Sequence, residues 1–100
     1  MTMQFEWDTE KEATNRKKHD GIAFSTAARV FDDPAVLLRK DRVVHGEQRW
    51  HAVGAVERAL LLVVHVYREE HENDKEIIRI ISARQANQRE RRVYLQQARE

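Results

Sequence analysis

The segment from Leu60 to Tyr67 is an almost unbroken run of apolar residues, interrupted only by His65. A short apolar run without alternation is typical of a strand that is covered on both faces. It therefore predicts a central strand between two layers of other structure. A chain of 100 residues has room for one modest hydrophobic core, so we expect a single domain over residues 1–100.

A second apolar run, Ile77–Ile81, contains Arg79 in its middle. Its β-branched side chains favour a strand. Ser82 followed by Gln85 matches the S-x-x-Q capping box, in which two side chains satisfy backbone donors at a helix start. We therefore expect the strand to end near Ser82 and a basic helix to begin at Ala83. The arginines of that helix are Arg84, Arg89, Arg91, Arg92 and Arg99.

The first third of the chain predicts one short strand and two helices. Met3–Trp7 alternates weakly between polar and apolar residues, as a strand does. Asp8 is a good N-cap for a polar helix over Lys11–Lys18, and Ser25 is a good N-cap for a second helix. Pro34 ends that second helix because it disfavours the helical conformation of the preceding residue.

The middle of the chain predicts two further strands, Val36–Leu38 and Arg49–Val53, joined by a polar link over residues 39–46. Residues 54–58 form the turn that leads into the central strand. Sequential strands usually pair with their neighbours, so the sheet is expected to be antiparallel. The predicted fold is α+β, in the order β-α-α-β-β-β-β-α, with a small antiparallel sheet, two N-terminal helices and a C-terminal helix.

Alternation along the strands divides the predicted sheet into two faces. The apolar face, on which the helices would pack, consists of Trp50, Ala52, Leu60, Leu62, Val64, Val66, Ile78 and Ile80. The opposite, polar face consists of Arg49, His51, His65, Tyr67 and Arg79. A shift of one residue in any strand exchanges these faces.

Composition limits the classes of function. The formal net charge is +1, so a surface for nucleic acid requires local segregation of charge. The chain has no cysteine, which excludes disulfides, thiolate metal sites and a cysteine nucleophile. The five histidines lack the spacing of a familiar metal site, and we expect no cofactor. Without an apolar stretch of membrane-spanning length or a secretory signal, a cytoplasmic protein is expected.

Short clusters occur in a fixed order along nearly the whole chain. They are Phe5–Asp8 with Lys11, Asn15 and Lys18-His19; Gly21–Phe24, Ala27-Ala28 and Val30–Pro34; Gly46-Glu47, Arg49-Trp50 and Gly54; and Ile78–Arg84 with Ala86, Glu90-Arg91 and Tyr94. In this order they resemble the BrnT family of bacterial toxins, and the block around Arg79–Arg84 is the most specific part. Gln85 and Asn87 depart from the basic residue and the threonine that the family often has.

The resemblance implies a type II toxin–antitoxin module with a RelE-like fold. The toxin would be a ribonuclease that cuts RNA and inhibits translation. Its partner would be a BrnA-like ribbon-helix-helix antitoxin, with which it would form a heterotetramer that binds operator DNA. An alternative is a non-catalytic protein of the same fold that acts as an antitoxin-bound co-repressor. Growth arrest that occurs on expression without the antitoxin and is lost in Arg79→Ala would support only the ribonuclease.

Metal-independent RNA cleavage needs a general base, a general acid and positive charge at the scissile phosphate. Arg79 is the first choice for the phosphate, the alternative being a structural arginine paired with Glu6 or Glu47. His19 is the leading histidine, with His51 and His65 as competitors. The expected catalytic residues are Arg79, Arg84, His19, Tyr94 and Glu47. The expected RNA-binding residues are Lys18, Arg49, Arg89, Arg91 and Arg92.

Several of these residues also have structural interpretations. Lys18 and His19 would stabilise the C-terminal end of a helix through the helix dipole. Tyr94 would pack the last helix against the sheet with its hydroxyl in water. Glu47 would form a surface cross-strand pair with Arg49. Arg84 near a helix start opposes the dipole there, which favours contact with phosphate or a partner.

Overall fold

The computed structural model describes residues 2–70, 72 and 75–98, which form a five-stranded mixed sheet with helices packed on both faces. The strands are β1 (Thr2–Glu6), β2 (Leu37–Val44), β3 (Glu47–Val56), β4 (Ala59–Glu70) and β5 (Lys75–Gln85). The helices are α1 (Thr9–Lys18), α2 (Phe24–Ala27), which continues as a 3₁₀ turn over Ala28–Asp32, and α3 (Gln88–Ala98). The predicted α+β class and element order are confirmed, whereas the RelE-like label stays a prediction.

The strand order is β1-β5-β4-β3-β2, so β4 is central, as its apolar run predicts. β2 to β5 form an antiparallel meander, but β1 lies parallel to β5. The sheet is therefore mixed rather than antiparallel throughout. The helices that follow β1 carry the chain to the opposite edge, which leaves the last strand as the neighbour of the first.

β5 extends further than its sequence predicts. Its register with β4 continues through Ala83 to Gln85, past a bulge near Ile81. The prediction of a helix start at Ala83 is therefore wrong, and Ser82 does not cap a helix. The S-x-x-Q pattern failed because pairing with the central strand satisfies the backbone groups that a cap would have served.

α3 begins instead with a capping box formed by Asn87 and Glu90. The Asn87 Oδ1 atom accepts a hydrogen bond from the Glu90 N–H at 2.8 Å, and Glu90 Oε1 accepts one from the Asn87 N–H at 2.8 Å. These reciprocal bonds satisfy two donors at the helix start. Arg84 therefore lies at the end of a strand, and its predicted misfit with a helix dipole does not arise.

The helix caps near the N-terminus are partly as predicted. Asp8 caps α1, because its side chain accepts from the backbone N–H groups of Glu10 and Lys11. Ser25 does not cap α2, whose N-cap position is Ala23 without a side-chain hydrogen bond. The Glu12 carboxylate instead accepts from the Phe24 N–H at 2.7 Å, which ties α1 to α2.

The predicted polar link over residues 39–46 is mostly strand. β2 runs to Val44, and the tight turn to β3 is made by His45 and Gly46, both with positive φ. β2 is an edge strand, and its charged side chains face solvent. It therefore lacks the apolar run by which a buried strand is recognised in a sequence. Gly54 lies inside β3 and not in a turn. A Cβ atom at this position would come within 2.9 Å of Val30, so the close approach of Val30 requires glycine.

The sheet register corrects the predicted division into faces. Trp50 lies opposite His65, and Ala52 lies opposite Val63, so His65 and Tyr67 lie on the face that α2 covers. The members of the β4 run that were assigned to that face, Leu60, Leu62, Val64 and Val66, lie on the other one with His51 and Arg79. Both faces of β4 carry apolar side chains, so the sequence pattern does not indicate which of its residues point to which face of the sheet.

α1 covers the part of the β5 edge that β1 does not reach. The last pair of β1 and β5 is Glu6 with Arg79. Beyond it, the buried Asn15 amide donates to Ala83 O at 2.8 Å and accepts from Ala83 N–H at 3.3 Å. These side-chain bonds continue the hydrogen bonding of a missing strand, so the β5 backbone is satisfied there.

His65 is enclosed by aromatic rings beneath the helices. Its ring stacks edge-on against Phe31 and Tyr67, each at 4.9 Å between centroids. The Nδ1 atom lies 3.4 Å from Val63 O, and Nε2 has no hydrogen-bond partner among the described residues. Burial lowers the pKa of His65 from 6.5 to about 4, since this site does not accommodate a charged imidazolium.

Acidification is therefore expected to destabilise the fold through His65. The unfolded chain binds a proton near pH 6.5 and the folded chain only near pH 4, so stability falls as the pH drops between these values. The total loss of stability caused by His65, reached once the folded chain is protonated as well, is about 3 kcal/mol. Urea unfolding of the parent and of His65→Phe from pH 7.5 to 4 measures it. If the free energy of unfolding changed with pH equally in the parent and in His65→Phe, His65 would not be the cause of the acid destabilisation.

Candidate active site

The face of the sheet opposite α2 carries a cluster of cationic side chains around His51. We call this surface the open face, because α3 covers only part of it. Arg39 lies directly across from His51 on β2, and Val64 lies across from it on β4. Arg49 precedes His51 by two residues and shares its face. His51 is thus flanked by arginines on two sides.

His51 is held by Asp41. The Nε2 atom of His51 lies 3.1 Å from Asp41 Oδ2, and the two side chains are 33% and 31% exposed. Asp41 sits where the register of β2 shifts between Lys40 and Val43, which directs its side chain towards β3. A carboxylate beside an imidazole fixes the orientation of the ring. The His51–Asp41 pair is thus held in place while it remains partly open to solvent.

Arg84 reaches the open face from β5, where it lies opposite Leu62. Its two terminal nitrogens donate to the two carboxylate oxygens of Glu90, each at 2.8 Å. This bidentate hydrogen bond raises the pKa of Arg84. Burial raises the pKa of Glu90, but the bonds from Arg84 and from the Asn87 N–H outweigh it, so the pKa lies below its usual value. Arg84 is therefore fixed against α3.

A groove of about 300 Å³ separates the start of α3 from the sheet beside His51. Its lining combines aliphatic side chains with polar groups at the rim, and consists of Leu37, Arg39, His51, Val53, Leu62, Asn87, Arg89, Glu90 and Val93. His51 thus belongs both to the arginine cluster and to the wall of the groove. A molecule lying in the groove would touch the imidazole.

Arg79 lies towards the other edge of the open face, exposed and paired in register with Val66. It borders a shallow cleft with Glu6, Asp8 and Arg68. Glu6 pairs with Arg68, at 3.2 and 3.3 Å, and not with Arg79. Within the described ranges Arg79 forms no hydrogen bond or ion pair, so the structural pairing considered for it is absent there.

The structure brings some of the predicted site residues together and separates others. Arg49, Arg79, Arg84 and Arg89 lie on the open face or its groove, together with His51. Lys18 and His19 line a different cleft, between α1 and Ser82. Arg91 and Arg92 are exposed on α3, and Glu47 is exposed at the start of β3. Arg99 lies outside the described residues.

Tyr94 is buried on the inner side of α3, 7% exposed. Its hydroxyl donates to Asp33 Oδ2 at 2.5 Å. Burial, together with the neighbouring Asp33 carboxylate, raises the pKa of Tyr94 to about 12. The hydroxyl is thus engaged in packing α3 on the sheet, and the predicted catalytic role of Tyr94 stays a prediction.

Three residues of the site escaped the sequence interpretation. Arg39 and Asp41 fell in the segment predicted to be a link, which hid their place opposite His51. Asn87 was noted only as a departure from a family pattern. The N-x-x-E spacing of Asn87 and Glu90 was available as a capping box, and it would have placed the helix start correctly.

Comparison with known proteins identifies the family. The model of the family described as ribonuclease toxin, BrnT, of type II toxin-antitoxin system matches residues 7–90. No curated protein gives a significant match to the chain. None of the helices in the described ranges has the length and apolar character that crossing a membrane requires. Because the family model covers most of the chain, this protein belongs to the BrnT family of ribonuclease toxins of type II toxin–antitoxin systems.

Proposed function

We propose that the open face is a metal-independent ribonuclease site, and that the toxin inhibits translation by cutting RNA there. The observation that carries this proposal is the His51–Asp41 pair between Arg39 and Arg49. An imidazole titrates near neutral pH, and guanidinium groups bind phosphate oxygens through fixed, paired donors. These are the groups that cleavage at a phosphodiester requires.

In the proposed reaction, His51 removes the proton of the ribose 2′-hydroxyl. The 2′-oxygen then forms a bond to phosphorus, the bond from phosphorus to the 5′-oxygen breaks, and a cyclic phosphate remains. Asp41 stabilises the imidazolium that forms, at 3.1 Å from it. The departing 5′-oxygen takes up a proton from solvent on the exposed side. General base catalysis of this kind contributes about 10²–10⁴-fold to a rate.

The arginines of the open face neutralise charge on the phosphate. Arg39 and Arg49 flank His51, and Arg79 lies further along the same face without an ion pair among the described residues. The Arg79 guanidinium attracts the nearby Asp8 carboxylate but forms no hydrogen bond to a described residue, so its donors can bind phosphate as negative charge builds in the transition state. Arg84 is already engaged by Glu90, so its proposed part is to hold the α3 side of the site.

The remaining predicted residues extend the proposed path of the RNA. Lys18, Arg91 and Arg92 are exposed cations that would contact phosphates away from the centre. His19 and Glu47 remain secondary candidates for proton transfer. Among the described residues no group of three histidine, aspartate or glutamate side chains is placed to hold a metal ion.

Cleavage of RNA by the purified toxin is expected to resist a chelator and to fall at least tenfold in Arg79→Ala, because Arg79 would contact phosphate. Gel analysis of a labelled RNA, with and without EDTA, measures both effects. Arg58→Ala, an exposed arginine in the turn between β3 and β4, is the matched control. Loss of cleavage with EDTA would refute metal independence. RNA left intact by the purified toxin but cut in a translating extract would show dependence on the ribosome.

The antitoxin is expected to bind over the open face. A type II module implies such a partner, and we propose a BrnA-like ribbon-helix-helix protein that forms a heterotetramer with the toxin and binds operator DNA. The cations of the open face would attract an acidic segment of that protein. Light scattering of the co-expressed pair gives the stoichiometry, and a gel shift with the promoter tests DNA binding.

A further inference from the structure

The groove beside His51 has the character of a site for one small planar group. Its volume of about 300 Å³ lies at the lower end of the range for small-molecule sites. Leu37, Val53, Leu62 and Val93 supply aliphatic surface against which a ring can lie. Because His51 forms part of the wall, a ring in the groove would be next to the phosphate that His51 helps to cut. The base adjacent to the scissile bond fits this position.

The rim of the groove is rich in hydrogen-bond donors. Arg39 and Arg89 form no ion pair within the described part of the chain, and each offers a guanidinium group. Asn87 uses its Oδ1 atom in the capping box, which leaves its amide N–H groups as donors. Each of these donors must find an acceptor when a ligand excludes water.

The rim has only one acceptor position left on Glu90. Glu90 Oε1 already accepts from Arg84 and from the Asn87 N–H, and Oε2 accepts from Arg84 alone. A carboxylate oxygen accepts two hydrogen bonds, so Oε2 has room for one more. The rim therefore matches a ligand edge in which an acceptor lies next to an N–H donor.

We infer that the groove binds the base next to the cut and prefers the keto bases, guanine and uracil. Each presents a carbonyl oxygen next to a ring N–H (O6 and N1–H in guanine, O4 and N3–H in uracil), which suits an arginine and Glu90. At the same two positions adenine and cytosine have an amino group and a ring nitrogen without a proton, so the amino group would face the guanidinium donors. Donors that a bound ligand shields from water and leaves unpaired disfavour such a base. This inference rests on the proposed function, because it takes the cut to occur at His51.

Binding of the four 3′-nucleotides by calorimetry tests the inference without any cleavage step. The Kd values of 3′-GMP and 3′-UMP are expected to be about tenfold lower than those of 3′-AMP and 3′-CMP, since one well-formed pair of hydrogen bonds discriminates by that amount. Arg89→Gln should reduce the ratio, whereas Arg58→Gln, remote in the β3–β4 turn, should not. Equal Kd values for all four nucleotides would overturn the inference.

The binding result is independent of the cleavage result, so the two proposals fail separately. Cutting at all four bases alike, with equal Kd values, would remove the base preference and leave the nuclease. A keto preference in binding, abolished by Arg89→Gln, would support the groove even if no RNA were cut.

Discussion

Replacing His51 by asparagine is expected to slow RNA cleavage by about 10²–10⁴-fold without unfolding the toxin. Asparagine is polar and fits within the space of the imidazole, but its amide cannot act as a base. The side chain of His51 is 33% exposed, and a partly exposed contact between a histidine and a carboxylate contributes about 0–1 kcal/mol to stability. The loss should therefore appear in the rate and not in the unfolding curve.

His45→Asn is the matched control for this experiment. His45 is exposed in the turn between β2 and β3, and its φ of 50° is one that asparagine tolerates. Initial rates on a short RNA, with circular dichroism to verify folding, compare the two variants. Full activity in a folded His51→Asn would refute its role and direct attention to His19. Asp41→Asn should slow cleavage less and shift the pH–rate profile, as expected for a positioning residue.

Replacing Asp33 by alanine is expected to cause the largest loss of stability, about 3 kcal/mol or more. Asp33 Oδ1 accepts from the Ala35 N–H at 2.8 Å, and Oδ2 accepts from the Ala55 N–H at 2.8 Å and from the Tyr94 hydroxyl at 2.5 Å. Its one carboxylate thus joins the link before β2, strand β3 and helix α3. Removing it leaves the buried Tyr94 hydroxyl without its partner.

Urea unfolding of Asp33→Ala beside Asp32→Ala measures this effect. Asp32 is the exposed neighbour, and its substitution should change the free energy of unfolding by about 0.5 kcal/mol at most. Tyr94→Phe and the double variant complete a cycle that isolates the Asp33–Tyr94 bond. A stability of Asp33→Ala equal to that of Asp32→Ala would contradict the prediction. Cleavage by Tyr94→Phe at the parental rate would assign Tyr94 to packing alone.

The parts of the fold that follow from local chemistry were predictable. The apolar run at Leu60–Tyr67 indicated the central strand, and Asp8 indicated the start of α1. Errors arose where tertiary pairing replaced local preference. Ser82 and Gln85 look like a helix cap, yet the register with β4 holds them in a strand. Residues 39–46 look like a link because an edge strand carries its charges towards solvent.

The site was harder to predict than the fold because it depends on strand phase. Arg49, His51 and Arg79 were placed together correctly, since each lies in a strand with visible alternation or flanking apolar residues. His65 was placed beside them wrongly, because its neighbours in β4 are apolar on both sides. The partner that positions His51, Asp41, becomes visible only when β2 is known to lie next to β3.

The pairing of β1 with β5 also sets when the proposed site can form during synthesis of the chain. β1 is made first, but its strand neighbour ends at Gln85, so the sheet stays incomplete until that strand has emerged. Contacts between such distant segments close slowly, because a long loop must be ordered first. Arg79 takes its place beside Glu6 only at that moment. A nascent chain from which β5 has not yet emerged therefore lacks Arg79 and Arg84, so the proposed site on the open face forms only after that strand has folded into the sheet.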